Sequence, residues 1–258
     1  MFVDISGDLL YTNLTFNKPI VYSENITLYP VRMENIFEFQ QYSTSFTIRK
    51  NSVFPIKEII KMNYLDFLFY CSQNPEFGIK YNLPHLSLLY MFAGQLLSLV
   101  CKNQEVSIGT ESAFFRINGE LIDSEKFDDL RKIIIIQNDV DFNIDEFLNR
   151  DTEDALKKAQ EFEDKKKKEK SSIEDYIDSI IIGLKVTEEY VQNITIRKFW
   201  RYVKRISKHE EYQILRSAEC GGMVTFKEPI QHWMTPIEVE DKYSNLKTDE
   251  QELRSKIE

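Results

Sequence analysis

The feature that most limits the fold of this chain is an uncharged stretch from Tyr81 to Cys101, bounded by Lys80 and Lys102. A run of this length and apolarity belongs either in a membrane or in the core of a protein. Its polar and small side chains share one narrow sector of a helical wheel; they are Ser87, Met91, Gly94, Gln95 and Ser98. The pattern predicts a buried helix of a soluble core and no membrane span. The small face allows a neighbour to approach closely, and Pro84 suits the first turn.

Composition indicates a folded protein with a sizeable core. The 258 residues are 42% hydrophobic and 13% aromatic, which provides enough apolar side chain for one large or two small domains. The formal net charge is -9, whereas a surface shaped as a whole for phosphate backbones would be basic. The charge therefore argues against nucleic acid as a partner, although a local basic patch remains compatible with it.

Residues 1–144 show strand and helix patterns in alternation, which predicts a helix-rich α+β domain with small antiparallel hairpins. Weak alternation over residues 9–16 and 20–31 predicts a first hairpin or small sheet. Helical periodicity follows from Ile36 and continues to the region of Pro75. The turn Asn118-Gly119 predicts a second hairpin, and a further helix begins after Asp123.

Composition changes sharply between residues 145 and 170, where acidic and basic side chains alternate at i,i+4 spacing and apolar residues become rare. We interpret this stretch as a charged helical linker. Residues 171–235 then form a small all-helical domain, in which Thr187 and Thr195 are placed to cap two helices. Residues 236–258 carry an excess of acidic side chains and are predicted to be a flexible acidic tail.

The candidate functional surface is the basic side of the helix that follows Thr195. Apolar residues from Ile196 to Ile206 occupy one side of this helix, and six cations occupy the other. The predicted partner-binding residues are Arg197, Lys198, Arg201, Lys204, Arg205 and Lys208. Three counterparts remain open for these charges: water together with the chain's own acidic segments, an acidic protein partner, or nucleic acid.

Catalytic signals are weak. A thiol site made of His209, Glu210 and Cys220 matches no known spacing, and a helix end before Gly221 explains these residues better. The chain has no phosphate-binding glycine loop, no dinucleotide fingerprint and no metal-binding histidine motif. We therefore expect no enzymatic activity, no cofactor and no metal. The three scattered cysteines and the acidic start at Asp4 predict reduced thiols in a cytoplasm, without an export signal.

Four segments resemble one family of proteins. They are residues 26–33, the helix over residues 33–52, residues 122–138 and residues 209–233. Together they are similar to the tail assembly chaperones of tailed phages that infect low-GC Gram-positive bacteria. The resemblance is spread over most of residues 26–233 in short pieces.

The resemblance implies a non-enzymatic protein that binds the tape measure protein and helps to recruit tail-tube subunits. Such a protein acts in the host cell cytoplasm and is absent from the mature virion. Two other classes remain open: a permanent virion component of the tail or head-tail connector, and a nucleic-acid-binding regulatory protein that uses residues 197–208. The oligomeric state also remains open, a homo-oligomer included.

Overall fold

The structure is a computed structural model that describes residues 7–50, 54–140, 142, 171–222, 224, 226 and 229–237. The helices are α1 (Gly7–Thr15), α2 (Ile36–Ser43), α3 (Lys57–Lys61), α4 (Tyr64–Gln73), α5 (Glu76–Lys80), α6 (Leu89–Cys101), α7 (Ser124–Gln137), α8 (Ile173–Leu184), α9 (Glu188–Asn193) and α10 (Ile196–Cys220). The strands are β1 (Ile20–Val21), β2 (Thr27–Leu28), β3 (Val106–Ile108), β4 (Phe115–Ile117) and β5 (Glu120–Ile122). The predicted fold class is confirmed: the fold is α+β, with many helices and two small antiparallel sheets.

Helix α6 lies at the centre of the core, as its sequence predicts. Its residues Leu96, Leu97 and Val100 are fully buried, and the helix contacts α2, α4 and β3. The polar sector of this helix divides into two parts. Met91 and the other polar members on α6 face solvent, whereas Gly94 is buried against β3 and β4. The close approach predicted for the small face is therefore made at one residue.

The buried helix is shorter than its sequence predicts. Helix α6 begins at Leu89, after a 3-10 turn over Leu86–Leu88. Pro84 does not lie in its first turn but in the loop that follows α5. The physical reason is that the chain first closes tighter i to i+3 turns, in which the Leu86 amide donates to the Leu83 carbonyl and the Leu88 amide to the His85 carbonyl, both at 3.0 Å. None of the described helices is long and apolar enough to span a membrane.

The two hairpins are present, but the first is smaller than predicted. Strands β1 and β2 pair antiparallel with Ile20 opposite Leu28, and β3, β4 and β5 form a meander. Asn118 and Gly119 both have positive φ angles, 48° and 79°, as a two-residue hairpin turn of type I′ requires. The second hairpin is therefore confirmed.

The prediction of strand structure over residues 9–16 was wrong, because the chain forms helix α1 there. Leu10, Asn13 and Leu14 are partly buried, while Tyr11 and Thr12 are exposed. This is the i, i+3, i+4 spacing of a helix, and it outweighs the weak alternation of polar and apolar residues.

Helices α8, α9 and α10 form the carboxy-terminal part of the described chain. Ser172 caps α8 in a capping box with Asp175, Thr187 caps α9 and Thr195 caps α10, each by accepting a hydrogen bond from the backbone three residues later. Both predicted threonine caps are confirmed.

This carboxy-terminal part is joined to the first part by main-chain hydrogen bonds. The Met33 amide donates to the Ile194 carbonyl, and the Ile196 amide donates to the Val31 carbonyl, both at 2.9 Å. Phe199 and Ile180 are buried in the same hydrophobic cluster as α2, α4, α6 and α7. The division into domains at residues 144 and 171 stays a prediction. The predicted linker and residues 238–258 of the tail lie outside the described residues.

The inner side of α7 carries a buried charged residue, Arg131. The Arg131 guanidinium lies 3.5 Å from the centroid of the Tyr64 ring and donates to the Phe46 carbonyl at 2.7 Å. Burial raises the pKa of the nearby Asp128 carboxyl, although the positive charges of Arg131, Lys132 and Lys50 act in the opposite direction. Desolvation therefore outweighs attraction at this carboxyl.

Replacement of Gly94 by valine should destabilise the fold. A Cβ atom at this position would lie 2.9 Å from Ile108 Cγ1 and 3.3 Å from Phe115 Cε1, and overpacking of this kind costs about 1–3 kcal/mol. Urea unfolding should show this loss for Gly94→Val. The exposed neighbour offers the control Gln95→Val, for which we expect a smaller change. Equal losses for the two variants would contradict the packing described for α6.

Replacement of Asp128 by asparagine should raise the free energy of unfolding most at neutral pH. Because its folded pKa is raised above its usual value of 3.8, wild-type stability is lost as pH rises from that value through the folded pKa. The free energy of unfolding of Asp128→Asn, minus that of the wild type, should therefore increase over the same range. Asp178→Asn, at an exposed position on α8, is the matched control. A difference that does not change with pH would refute the desolvation of Asp128.

Candidate protein-interaction surface

Helix α10 has the two-sided character that its sequence predicts. It is 25 residues long, and its apolar side packs on α8, where the Trp200 and Tyr176 rings meet edge to face at 5.1 Å. Ile196 and Phe199 are buried, whereas Trp200, Val203 and Ile206 are partly buried. Of the apolar residues of α8, only Ile180 is fully buried. Helix α8 thus lies at the surface and covers the apolar side of α10.

Two of the six predicted cations face Asp139, at the end of α7. Lys204 Nζ lies 3.7 Å from Asp139 Oδ2, and half of the Lys204 side chain remains exposed. Burial lowers the pKa of the Arg197 guanidinium; the Asp139 charge opposes this shift and the Arg201 charge adds to it. A partly exposed ion pair of this length contributes about 0–1 kcal/mol. Asp139 therefore leaves Lys204 able to contact another molecule.

Lys198 and Arg201 have no acidic partner among the described residues. Lys198 Nζ lies 5.4 Å from the centroid of the Tyr202 ring on the same helix. Arg201 lies one turn further along and is partly exposed. Within the described part of the chain, no ion pair or hydrogen bond is made by its guanidinium. Lys198, Arg201 and Lys204 form the open part of the basic side of α10.

The last two cations, Arg205 and Lys208, bind a later segment of the same chain. Residues 229–237, here named the carboxy-terminal strap, return along α10 after the helix has ended. Arg205 Nη1 donates to the carbonyl oxygens of Trp233 and Thr235, the latter at 3.0 Å. Lys208 Nζ donates to the Pro236 carbonyl at 3.0 Å. All three acceptors are neutral main-chain groups, so the positive charges of Arg205 and Lys208 are not neutralised by the strap.

Aromatic rings complete the contact between α10 and the strap. The Trp233 ring meets His209 edge to face at 4.8 Å, and His232 meets Tyr212 at 5.1 Å. These contacts give His209 a structural position beside Trp233. Cys220 is the last residue of α10, eleven residues further on and therefore about 16 Å along the helix axis. The structure does not bring the thiol and the imidazole together.

The sequence pattern identifies the six cations but not the groups of the same chain that they contact. Asp139 is one acidic residue among many, and no periodic pattern marks the strap. Trp233 is the one available signal, since large aromatic side chains bury much of their area in packing contacts. Among the described residues, no group of histidine, cysteine and acidic side chains is arranged to hold a metal ion.

The carboxy-terminal part of the described chain is thus a helical unit with an amphipathic helix, α10, and an extended segment docked along it. The sequence model of the YomV second domain matches residues 165–238, a range that includes α8, α9, α10 and the strap. This is a phage-associated domain of the type found in YomV of Bacillus phage SPBc2. The match supports the interpretation that this is a phage protein, and it covers less than a third of the chain. No curated protein and no solved structure matches the chain.

The cap of α10 also joins the two parts of the structure, so its loss should cost more than the loss of an ordinary cap. The Thr195 hydroxyl accepts from the Lys198 amide at 3.2 Å and donates to Asn17 Oδ1 at 2.7 Å. Thr195→Val should lower the free energy of unfolding by about 2 kcal/mol, because it removes a cap and a second hydrogen bond. The comparison is Thr187→Val, an exposed cap on α9 for which we expect about 1 kcal/mol. Identical losses in chemical denaturation would argue against the second role of Thr195.

Proposed function

We propose that the protein is a phage tail assembly chaperone that binds the tape measure protein and helps to recruit tail-tube subunits. It acts by protein-protein contacts, without making or breaking covalent bonds. It works in the host cell cytoplasm and leaves before the virion is complete. The observation that carries the proposal is the open basic side of α10, which lies within the residues that match a phage-associated domain.

The charge arrangement supports a polypeptide partner. The whole chain has a net charge of -9, yet the first fourteen residues of α10 contain cations and no acid. A local field of opposite sign to the rest of the surface steers an acidic partner to one side of the molecule. Lys198, Arg201 and Lys204 supply this field.

Exposed apolar side chains on α8, α10 and the strap support binding to apolar helices. Ile182 on α8 is 76% exposed, Ile214 on α10 is 69% exposed, and Met234 in the strap is 64% exposed. A tape measure protein presents long apolar helices during tail assembly. A protein that escorts such helices needs apolar contact together with charged groups for solubility and reversible binding.

Coexpression with the tape measure protein of the same phage, followed by affinity purification, tests the proposal. The wild-type protein should retain the tape measure protein, and Lys198→Glu/Arg201→Glu should retain at least about tenfold less, because like charges would then meet in the contact. The matched control is Lys57→Glu/Lys61→Glu, which reverses two exposed charges on α3. Equal retention by both double variants, or no retention by the wild type, would contradict the proposal.

The same material separates the proposal from its two rivals. Mass spectrometry of purified particles should not detect the chain, whereas a stoichiometric amount would indicate a permanent virion component. Salt-dependent retention on DNA that Lys198→Glu/Arg201→Glu abolishes would instead indicate a nucleic-acid-binding protein.

A further inference from the structure

The carboxy-terminal strap occupies part of the surface that an acidic partner would use. Arg205 and Lys208 belong to the same side of α10 as Arg201 and Lys204. Their donors are bound to the carbonyl oxygens of Trp233, Thr235 and Pro236. A partner that follows the basic side along the helix reaches the strap after one turn.

The acceptors in the strap are weaker than those an acidic partner would bring. A cationic donor already strengthens a hydrogen bond to a neutral carbonyl, but a carboxylate acceptor adds the attraction between two opposite full charges. Here each bond joins a cation to a neutral carbonyl, so the charge of the cation stays uncompensated. A carboxylate that replaced these carbonyls would form the stronger bond and would neutralise the charge.

The docking of the strap is also incomplete. The Thr235 hydroxyl oxygen is buried and has no hydrogen-bond partner among the described residues. This costs free energy in the docked state, and release of the strap would let water bind the hydroxyl and remove the cost. The Met234 side chain is 64% exposed. The strap has two ring contacts with α10, Trp233 against His209 and His232 against Tyr212, and Trp233 has the larger ring system.

We infer that the strap is a displaceable cover on the basic side of α10, and that the ligand which displaces it is an acidic polypeptide segment. This inference rests on the proposed function, because it names the chemistry of the partner at the same surface. The strap competes in cis for Arg205 and Lys208. Apparent affinity for the partner is therefore reduced by the fraction of molecules in which the strap is closed.

Binding of a fluorescently labelled poly-L-glutamate peptide to the full-length protein tests this inference without the phage partner. Trp233→Ala should bind the peptide about two- to tenfold more tightly than the wild type, since it weakens the competing strap and leaves all six cations in place. Arg205→Ala/Lys208→Ala should bind about tenfold or more weakly, because it removes the donors. Met234→Ala is the matched control in the strap, and Arg216→Ala is the control for loss of a cation from the distal part of α10.

Hydrogen-deuterium exchange of the wild type reports the strap directly and does not depend on any variant. Saturating poly-L-glutamate should speed amide exchange in residues 229–237 and slow it over residues 197–208. Unchanged exchange in the strap, or an unchanged or lower affinity for Trp233→Ala, would overturn the inference. Duplex DNA that releases the strap when poly-L-glutamate does not would overturn it in favour of a phosphate ligand.

The outcomes distinguish this inference from the proposed function. If poly-L-glutamate releases the strap but the tape measure protein is not retained in copurification, the cover on α10 stands and the tail assembly role fails. If the tape measure protein is retained while poly-L-glutamate neither binds nor changes exchange, the tail assembly role stands and the displaceable cover fails.

Discussion

The position of α10 depends on a short junction between two distant parts of the chain. Backbone groups of Val31 and Met33 exchange hydrogen bonds with those of Ile194 and Ile196, and the Thr195 side chain links the helix start to Asn17. Because main-chain bonds fix direction as well as distance, the helix begins at a set point against the core. Its cations then face Asp139 on one side and the strap on the other.

Periodicity predicted the elements that depend on local sequence. The helix around Leu96, the turn at Asn118-Gly119 and the cap at Thr195 each follow from side-chain spacing or backbone preference over a few residues. The helix at Leu10 was missed because its apolar positions fit two periods over so short a segment. A start at Pro84 was wrong because the chain first closes i to i+3 turns over residues 83–88, which apolar spacing does not distinguish from the first turn of an α-helix.

Contacts between residues far apart in sequence could not be predicted in the same way. The division of the six cations is set by Asp139 and by the strap, and neither carries a pattern that identifies α10 as its partner. Local sequence thus identified the charged side of the helix, while tertiary contacts decided which cations remain open. Lys198, Arg201 and Lys204 form the open group, and Arg205 and Lys208 form the covered one.

The proposed role depends on contact between the basic side of α10 and the phage partner. Cross-linking mass spectrometry on the complex copurified with the tape measure protein tests it most directly, because the chain carries lysines both on α10 and on remote helices. We expect intermolecular cross-links from Lys198, Lys204 and Lys208. Cross-links that arise from Lys57, Lys61 and Lys80 alone, with none from α10, would contradict it.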